Sequence, residues 1–208
     1  MGCLQKAAEQ PGVRLVMRPD QLDVERAMVL VIDVQEKLLP SIAGGERVIT
    51  AGRKLLDGAV VFELPVLVTE QYPKGLGPTH ATIRAALAHR RAKVLEKPTF
   101  SAWADPKVRE ALLALDRPQI IVTGIETHVC VQQTALDLRS RDYDVFVCAD
   151  AVGSRGRVDH EVALDRMRQA GVLVTTVESV LFELCQRCDA ARFKAMLEII
   201  KRHPPSDG

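Results

Sequence analysis

Six short apolar runs, each separated from the next by a segment with helical spacing, constrain the fold of this chain more than any other feature. A strand that is buried on both faces reads as a continuous apolar run, because neither face meets water. The runs are Ala27 to Ile32, Pro65 to Thr69, Lys93 to Leu95, Gln119 to Thr123, Val145 to Ala149 and Val172 to Thr175. We therefore predict six buried strands.

The segments between and after these runs carry apolar residues three or four positions apart, which is the spacing of one helical face. The recurring residues are Val48, Ala51, Leu55, Ala59 and Phe62; Ile83 and Leu87; Val108, Leu112 and Leu115; Val131, Ala135 and Leu138; Ala163, Met167 and Ala170; and Phe193, Leu197 and Ile200. Asp105-Pro106 supplies a capping carboxylate and a proline at the first position of one helix. Alternating strands and helices predict an α/β fold, a three-layer α/β/α arrangement with a six-stranded, mostly parallel sheet.

A chain of 208 residues is long enough for one such domain and rather short for two. We expect a single domain over residues 23–203. An N-terminal extension of uncertain order precedes it at residues 1–22, and a polar tail follows it at residues 204–208.

Charge and cysteine content limit the classes of function. Lys and Arg number 28 against 27 Asp and Glu, so the net charge of +1 gives no field to attract nucleic acid or an acidic membrane. The sequence contains no apolar stretch of about 18 residues, so it predicts no membrane span. Five cysteines, an odd number in a chain too large to need disulfide staples, indicate reduced thiols and a cytoplasmic location. No glycine-rich fingerprint follows the first run, which argues against a dinucleotide cofactor.

Three polar residues follow apolar runs: Asp33, Lys97 and Cys130. The carboxyl ends of parallel strands lie at one edge of a sheet, where ligands bind, so we expect these side chains to converge. Thr127 can serve as the N-cap of a helix with Cys130 at its third position. The helix dipole and the Lys97 ammonium would then lower the pKa of the Cys130 thiol below its ordinary value. With Asp33 as proton acceptor and main-chain N–H groups near the helix start, this set suits acyl transfer.

Three stretches resemble the signatures of isochorismatase-like cysteine hydrolases in both order and spacing. They are Val31-Ile32-Asp33-Val34-Gln35, Glu96-Lys97-Pro98-Thr99-Phe100-Ser101 and Gly124-Ile125-Glu126-Thr127-His128-Val129-Cys130-Val131. Two more, Thr69-Glu70-Gln71-Tyr72-Pro73-Lys74-Gly75-Leu76-Gly77 and Val131-Gln132-Gln133-Thr134-Ala135, resemble the isochorismatase domain-containing subgroup. The resemblance covers residues from about Ala27 to Ile200.

The resemblance implies a six-stranded parallel sheet and a catalytic set of Asp33, Lys97 and Cys130, with a thioester on Cys130 that water releases. It implies a cis peptide bond between Ile125 and Glu126, and an oxyanion hole formed by the N–H groups of Glu126 and Cys130. It also implies a small-molecule substrate and a homo-oligomer, a dimer or larger. The predicted pocket residues are Gln35, Gln71, Tyr72, Phe100, Trp103 and His128.

One departure from the superfamily concerns metal binding. Nicotinamidases carry an Asp-x-His metal motif after the second strand, whereas this chain has Gln71-Tyr72-Pro73 there. Without a carboxylate and an imidazole at that place, no metal site is evident. We expect no bound metal and no cofactor.

These observations leave several functions open. The first is a cofactor-free hydrolase of a small amide, carbamoyl or related carbonyl compound. The second is a catalytically idle oligomeric binding protein or scaffold that retains the pocket. A third, a thiol redox sensor, needs a resolving cysteine, for which Cys148 is the candidate. The loop from Gly153 to Arg157 fits an anion site, a contact with a neighbouring subunit or a plain surface loop.

Overall fold

The computed structural model describes residues 21–88 and 92–204. The predicted extension at residues 1–22 lies outside them except for Gln21 and Leu22, and the predicted tail lies outside them except for Pro204. Within the described residues, all strands join one parallel sheet in the order β3-β2-β1-β4-β5-β6. The strands are β1 (Ala27–Ile32), β2 (Val66–Gln71), β3 (Lys93–Lys97), β4 (Gln119–Ile125), β5 (Asp144–Gly153) and β6 (Leu173–Thr175).

Helices connect the strands and follow the last one. In the described part of the chain they are α1 (Gly45–Val61), α2 (Pro73–Leu76), α3 (Ala81–Leu87), α4 (Pro106–Leu115), α5 (Gln132–Arg139), α6 (Arg157–Gln169), α7 (Val177–Cys185) and α8 (Phe193–Arg202). A 3-10 turn spans Leu39–Ser41 and a π-helical turn spans Thr127–Val131. None of the described helices is long and apolar enough to cross a membrane.

The sheet divides the core into two apolar layers, because successive side chains of a strand point to opposite faces. In β1, Ala27, Val29 and Val31 belong to the layer that contains residues of α1, α3, α7 and α8. Met28, Leu30 and Ile32 belong to the layer that contains residues of α4, α5 and α6. The predicted three-layer α/β/α architecture is confirmed, and the sheet is parallel throughout.

Burial differs from the prediction at the two edges of the sheet. β3 and β6 each pair with one neighbour only. Val94 in β3 is 46% exposed, and all three residues of β6 are half-buried. The prediction of six buried strands is therefore wrong for these two. Both strands lie at an end of the strand order, which leaves one side of each without a neighbouring strand, and β3 also contains three charged residues.

The strand order reverses between β1 and β4, which lie side by side although β2 and β3 come between them in the chain. Such a reversal opens a crevice at the carboxyl ends of the two strands. Gly124 of β4 lies so close to β1 that an added Cβ would overlap the carbonyl oxygen of Ile32, and its φ is +137°. Only glycine fits there, and it brings β4 directly against the residue that precedes Asp33.

Candidate active site

Asp33 lies directly after β1 and is fully buried. Its φ is +52°, in the left-handed region that non-glycine residues seldom adopt and that occurs often at functional sites. One carboxylate oxygen, Oδ1, accepts a hydrogen bond of 2.7 Å from the Thr69 hydroxyl in β2. The other, Oδ2, accepts one of 2.7 Å from Lys97 Nζ. The backbone therefore aims this carboxylate across the ends of the neighbouring strands.

Lys97 is the last residue of β3 and its side chain is closed to water, as is that of Asp33. Its ammonium also donates to Gln71 Oε1 at 2.8 Å and to the carbonyl oxygens of Thr99 at 2.9 Å and Phe100 at 3.2 Å. A buried charge is tolerated when it is paired and surrounded by acceptors. Each acceptor also fixes the position of the ammonium beside Asp33.

Cys130 lies in the π-helical turn that follows β4, and 6% of its surface is exposed. Its thiol is hydrogen-bonded to Asp33, and Lys97 acts on it electrostatically. Its carbonyl oxygen accepts a hydrogen bond of 2.6 Å from Thr134 Oγ1, which fixes the main chain of this residue to α5. The structure thus brings together all three residues that the strand-end argument selected, although Asp33 and Lys97 are 64 positions apart in the chain.

The pKa of the Cys130 thiol departs from the sequence prediction. We expected a value below normal, whereas it is raised from 9.0 to about 12. Burial is the largest cause, and the negative charge of Asp33 raises the pKa further. Lys97 lowers it but does not offset the other two effects. The resting group is therefore a protonated thiol, hydrogen-bonded to a carboxylate that can take its proton.

The helix start also departs from the prediction. Thr127 is the first residue of the π-helical turn, and Glu126 occupies the capping position without a side-chain hydrogen bond to the turn. The Thr127 hydroxyl bonds to His160 Nδ1 at 2.9 Å instead of capping the helix. The Glu126 carbonyl oxygen accepts from the N–H groups of Val129 and Val131, at 3.1 and 3.2 Å. The peptide bond between Ile125 and Glu126 is cis.

The predicted pocket residues differ in what they contact. Gln35 is fully buried; its amide nitrogen donates to the Gln71 and Gly77 carbonyls, and its oxygen accepts from the Gln71 N–H. It therefore fixes the backbone around Gln71. Gln71 and Tyr72 border a cavity of about 790 Å³ that Lys97 also lines. Tyr72 is 63% exposed at the mouth of this cavity.

The remaining three predicted residues lie in different surroundings. Phe100 is exposed, and its carbonyl oxygen accepts a hydrogen bond from the Lys97 ammonium. His128 is half-buried, with Nδ1 3.0 Å from the Ser154 hydroxyl. Trp103 packs edge-on against Tyr143 with ring centroids 5.6 Å apart, and it lines a different cavity at the start of β4 and β5. These contacts place Trp103 outside the cavity that Lys97 lines.

Two residues of the site were missed by the sequence analysis. Thr69 supplies the second hydrogen bond to Asp33; a polar residue at the end of an otherwise apolar run was the available signal. Arg155 pairs with Glu126 at 3.0 Å, and no local pattern indicates a contact between residues 29 positions apart. The sequence placed Arg155 in a loop to which it assigned no single function.

The candidates for metal binding and thiol redox chemistry also have defined positions. Among the described residues, no group of three or more His, Cys, Asp or Glu side chains is arranged to hold a metal ion. Cys148 belongs to the core layer on one face of the sheet and Cys130 to the layer on the other. The sheet therefore separates the two sulfurs, so Cys148 cannot act as a resolving cysteine for Cys130 in this fold.

Comparison with known families matches residues 27–179 to the isochorismatase domain. The chain belongs to the isochorismatase family. A curated relative, isochorismatase domain-containing protein 2 of Xenopus laevis, is 41% identical over 186 residues, which cover 88% of each chain. The matched region contains every residue of the candidate site.

Solved structures agree with this family assignment. A Caenorhabditis elegans protein described as MAR1 ribonuclease superposes with a TM-score of 0.84 at 36% identity, over 90% of this chain and 96% of the other. The YcaC gene product of Escherichia coli, described as an octameric hydrolase of unknown specificity, gives 0.83 at 29% identity over 95% and 94%. This member of the isochorismatase family is therefore an isochorismatase-like hydrolase whose substrate is unknown.

Proposed function

We propose that this protein is a cofactor-free hydrolase that cleaves a small amide, carbamoyl or related carbonyl compound through a thioester on Cys130. The observation that carries the proposal is the buried ion pair of Asp33 and Lys97, 2.7 Å apart, whose carboxylate is hydrogen-bonded to the Cys130 thiol. Desolvating two charges is costly, and a fold that needed only a core would place apolar side chains there.

The first step is attack of Cys130 Sγ on the substrate carbonyl carbon. Because the thiol is protonated at rest, Asp33 takes its proton as the S–C bond forms. The carbonyl π electrons move to oxygen, and the main-chain N–H groups of Glu126 and Cys130 stabilise the resulting oxyanion. The Lys97 ammonium stays beside Asp33 throughout and offsets negative charge in the site.

The second step expels the leaving group and restores the enzyme. The oxyanion collapses, the bond from carbon to the leaving group breaks, and the Asp33 carboxyl returns its proton to the departing amine. Water then attacks the thioester, with Asp33 accepting a proton from it, and the Cys130 thiol is released with a carboxylic acid. Atoms balance with water as the only co-substrate, which is why the proposal needs no cofactor.

The cavity and the charge of the chain favour a small substrate. The cavity beside Lys97, whose lining does not include Cys130 or Asp33, has a volume of about 790 Å³, within the range of small-molecule sites. The net charge of +1 supplies no general attraction for a polyanion such as RNA. A sulfur nucleophile suits a carbonyl carbon, whereas hydrolysis of a vinyl ether does not require one.

The test uses p-nitrophenyl acetate as the acyl donor, since it needs no knowledge of the natural substrate. We expect release of p-nitrophenolate and a transient acetyl adduct on the Cys130 peptide, seen by mass spectrometry after acid quenching. Cys130→Ala and Cys130→Ser should lose the adduct and the enzyme-dependent release. Cys148→Ala, a matched change of a buried cysteine on the other face of the sheet, should keep both.

Two outcomes contradict the proposal in different ways. An adduct and turnover that persist in both Cys130 variants would make Cys130 a packing residue. A wild-type protein that forms no adduct while remaining folded would favour the alternative function, an idle binding protein or scaffold that retains the pocket.

We also propose that the protein forms a homo-oligomer. The relative from Escherichia coli is an octamer, and α6 presents Val158 and Val162, one turn apart, at 71% and 60% exposure. Burial of this pair against a second copy would remove an apolar patch from water. Sedimentation velocity should give a species larger than one 22.9 kDa chain, and a single monomer peak at micromolar concentration would contradict it.

The cytoplasmic location stays a prediction; the described cysteines are free thiols, as a reducing compartment favours.

A further inference from the structure

Residues 154–160, which follow β5 and enter α6, bond to the start of the π-helical turn that contains Cys130. Three consecutive residues there, the capping residue Glu126 and the turn residues Thr127 and His128, each make one of these contacts. Arg155 donates to Glu126 Oε2 from its main-chain N–H and from Nε, both at 3.0 Å. The bonds from Thr127 to His160 and from His128 to Ser154 measure 2.9 and 3.0 Å.

The contact with Arg155 differs from the other two because it involves charge. The Glu126 carboxylate is 7% exposed, and its negative charge contributes to the raised pKa of Cys130. Without a positive partner, this carboxylate would be costly to bury and would disfavour ionisation of the thiol. Arg155 is 64% exposed, so packing does not account for its position. A guanidinium that stays in water while its Nε reaches a nearly buried carboxylate neutralises that carboxylate and fixes its direction.

Fixing the side chain of Glu126 also fixes its main chain. On one side, the Glu126 carbonyl oxygen is bonded to Val129 and Val131. On the other, Arg155 holds the carboxylate. The residue is thus held at its carbonyl oxygen and at its carboxylate, which limits the directions open to its N–H, the group that the proposed mechanism uses as an oxyanion donor.

We propose that Arg155 is a positioning residue that acts through Glu126 to keep the oxyanion-binding N–H aligned for acyl transfer. This inference rests on the proposed function, since it needs Cys130 to attack a carbonyl. The side chain of Arg155 does not touch the reacting atoms in this role. Its loss should impair steps that develop an oxyanion and spare reactions of the same sulfur that do not.

The experiment compares two reactions of Cys130. Acylation by p-nitrophenyl acetate passes through an oxyanion, whereas alkylation by iodoacetamide is a displacement at a saturated carbon. Both start from the same sulfur, so their rate ratio cancels any change in the ionisation of the thiol. Acylation is followed by p-nitrophenolate release after subtraction of the Cys130→Ala rate, and alkylation by mass spectrometry of the Cys130 peptide.

We expect Arg155→Ala to lower the ratio of acylation to alkylation roughly tenfold, since misplacing an oxyanion donor costs less than removing one, which costs about a hundredfold or more. Arg155→Lys, which keeps the charge, should recover part of the loss. Arg157→Ala is the matched control, because Arg157 is 86% exposed and pairs with Glu161 on its own helix. Circular dichroism checks that each variant is folded.

The outcomes separate this inference from the proposed function. An unchanged ratio in Arg155→Ala, with wild-type acylation intact, overturns the role of Arg155 alone. An equal loss in Arg157→Ala also overturns it, because the effect would then come from general surface charge. A wild-type Cys130 that is alkylated but never acylated overturns the proposed function and this inference with it.

Discussion

Asp33, Lys97 and Cys130 carry three ionisable groups in a region that water scarcely reaches, and each depends on the others. The Asp33 carboxylate raises the pKa of the thiol by its charge and its hydrogen bond, while the Lys97 ammonium lowers it. The same carboxylate is the proton acceptor of the proposed mechanism. Its removal should therefore affect thiol ionisation and acyl transfer in opposite directions.

We predict that Asp33→Asn speeds alkylation of Cys130 by iodoacetamide at pH 8 and slows acyl transfer from p-nitrophenyl acetate. The thiol pKa should fall from about 12, because the charge and the hydrogen bond of Asp33, two of the causes that raise it, are lost, while Lys97 still lowers it against the remaining effects of burial and Glu126. Loss of the general base should cost roughly a hundredfold or more in turnover. Alkylation of the Cys130 peptide against pH and p-nitrophenolate release measure the two effects.

This variant leaves the buried Lys97 without its carboxylate, which costs about 3–5 kcal/mol, so folding must be verified at low temperature. Asp137→Asn is the control, since Asp137 is a partly exposed carboxylate that accepts from Ser101 and is not among the charges that act on the Cys130 thiol. Slower alkylation of Cys130 in folded Asp33→Asn protein would contradict the electrostatic account.

At the scale of helices and strands, local sequence specifies much of this fold. The predicted start of β1 at Ala27 and its end at Ile32 match the structure. Asp105 caps α4 as predicted, accepting from the N–H groups of Lys107 and Val108 at 2.9 and 3.1 Å. These features are readable because continuous apolar runs, caps and N1 prolines act over a few neighbouring residues.

Other elements depend on contacts that local patterns do not contain. The π-helical turn exists because one carbonyl, that of Glu126, accepts from N–H groups three and five residues ahead, an arrangement that helical spacing does not encode. The apolar spacing did not predict α7, which the structure places between β6 and α8. The loop expected from Gly153 to Arg157 is shorter than predicted, since β5 continues to Gly153 and α6 begins at Arg157.

For the molecule as a whole, the order and direction of the strands made the location of the site predictable from the sequence. Parallel strands end at one edge, so the meeting of Asp33, Lys97 and Cys130 was predictable before their distances were known. How deeply the fold buries them was not, because burial depends on all the layers together. That is why the location of Cys130 was predicted and the direction of its pKa shift was wrong.

Burial of thiols and of one phenol gives the whole protein a testable dependence on alkaline pH. The pKa of Cys130 is raised from 9.0 to about 12, that of fully buried Cys148 is raised well above 9.0, and that of Tyr143 is also raised, in each case mainly by burial. In the unfolded chain these groups ionise near their ordinary values, whereas in the folded protein they stay protonated. The unfolded state then binds fewer protons, so stability falls as pH rises.

We predict that the free energy of unfolding is insensitive to these thiols below pH 9 and falls between pH 9 and 12. The slope should approach 1.4 kcal/mol per pH unit for each thiol that is ionised only when unfolded, about the value of one pKa unit. Urea unfolding at several pH values, in the wild type and in the double variant Cys130→Ala with Cys148→Ala, measures it. The double variant should be less stable at pH 8, from lost packing, yet should lose less stability per pH unit above pH 9. Cys188→Ala, a change at an exposed thiol, should follow the wild-type slope. Equal slopes in the wild type and the double variant would show that neither thiol is held protonated by the fold.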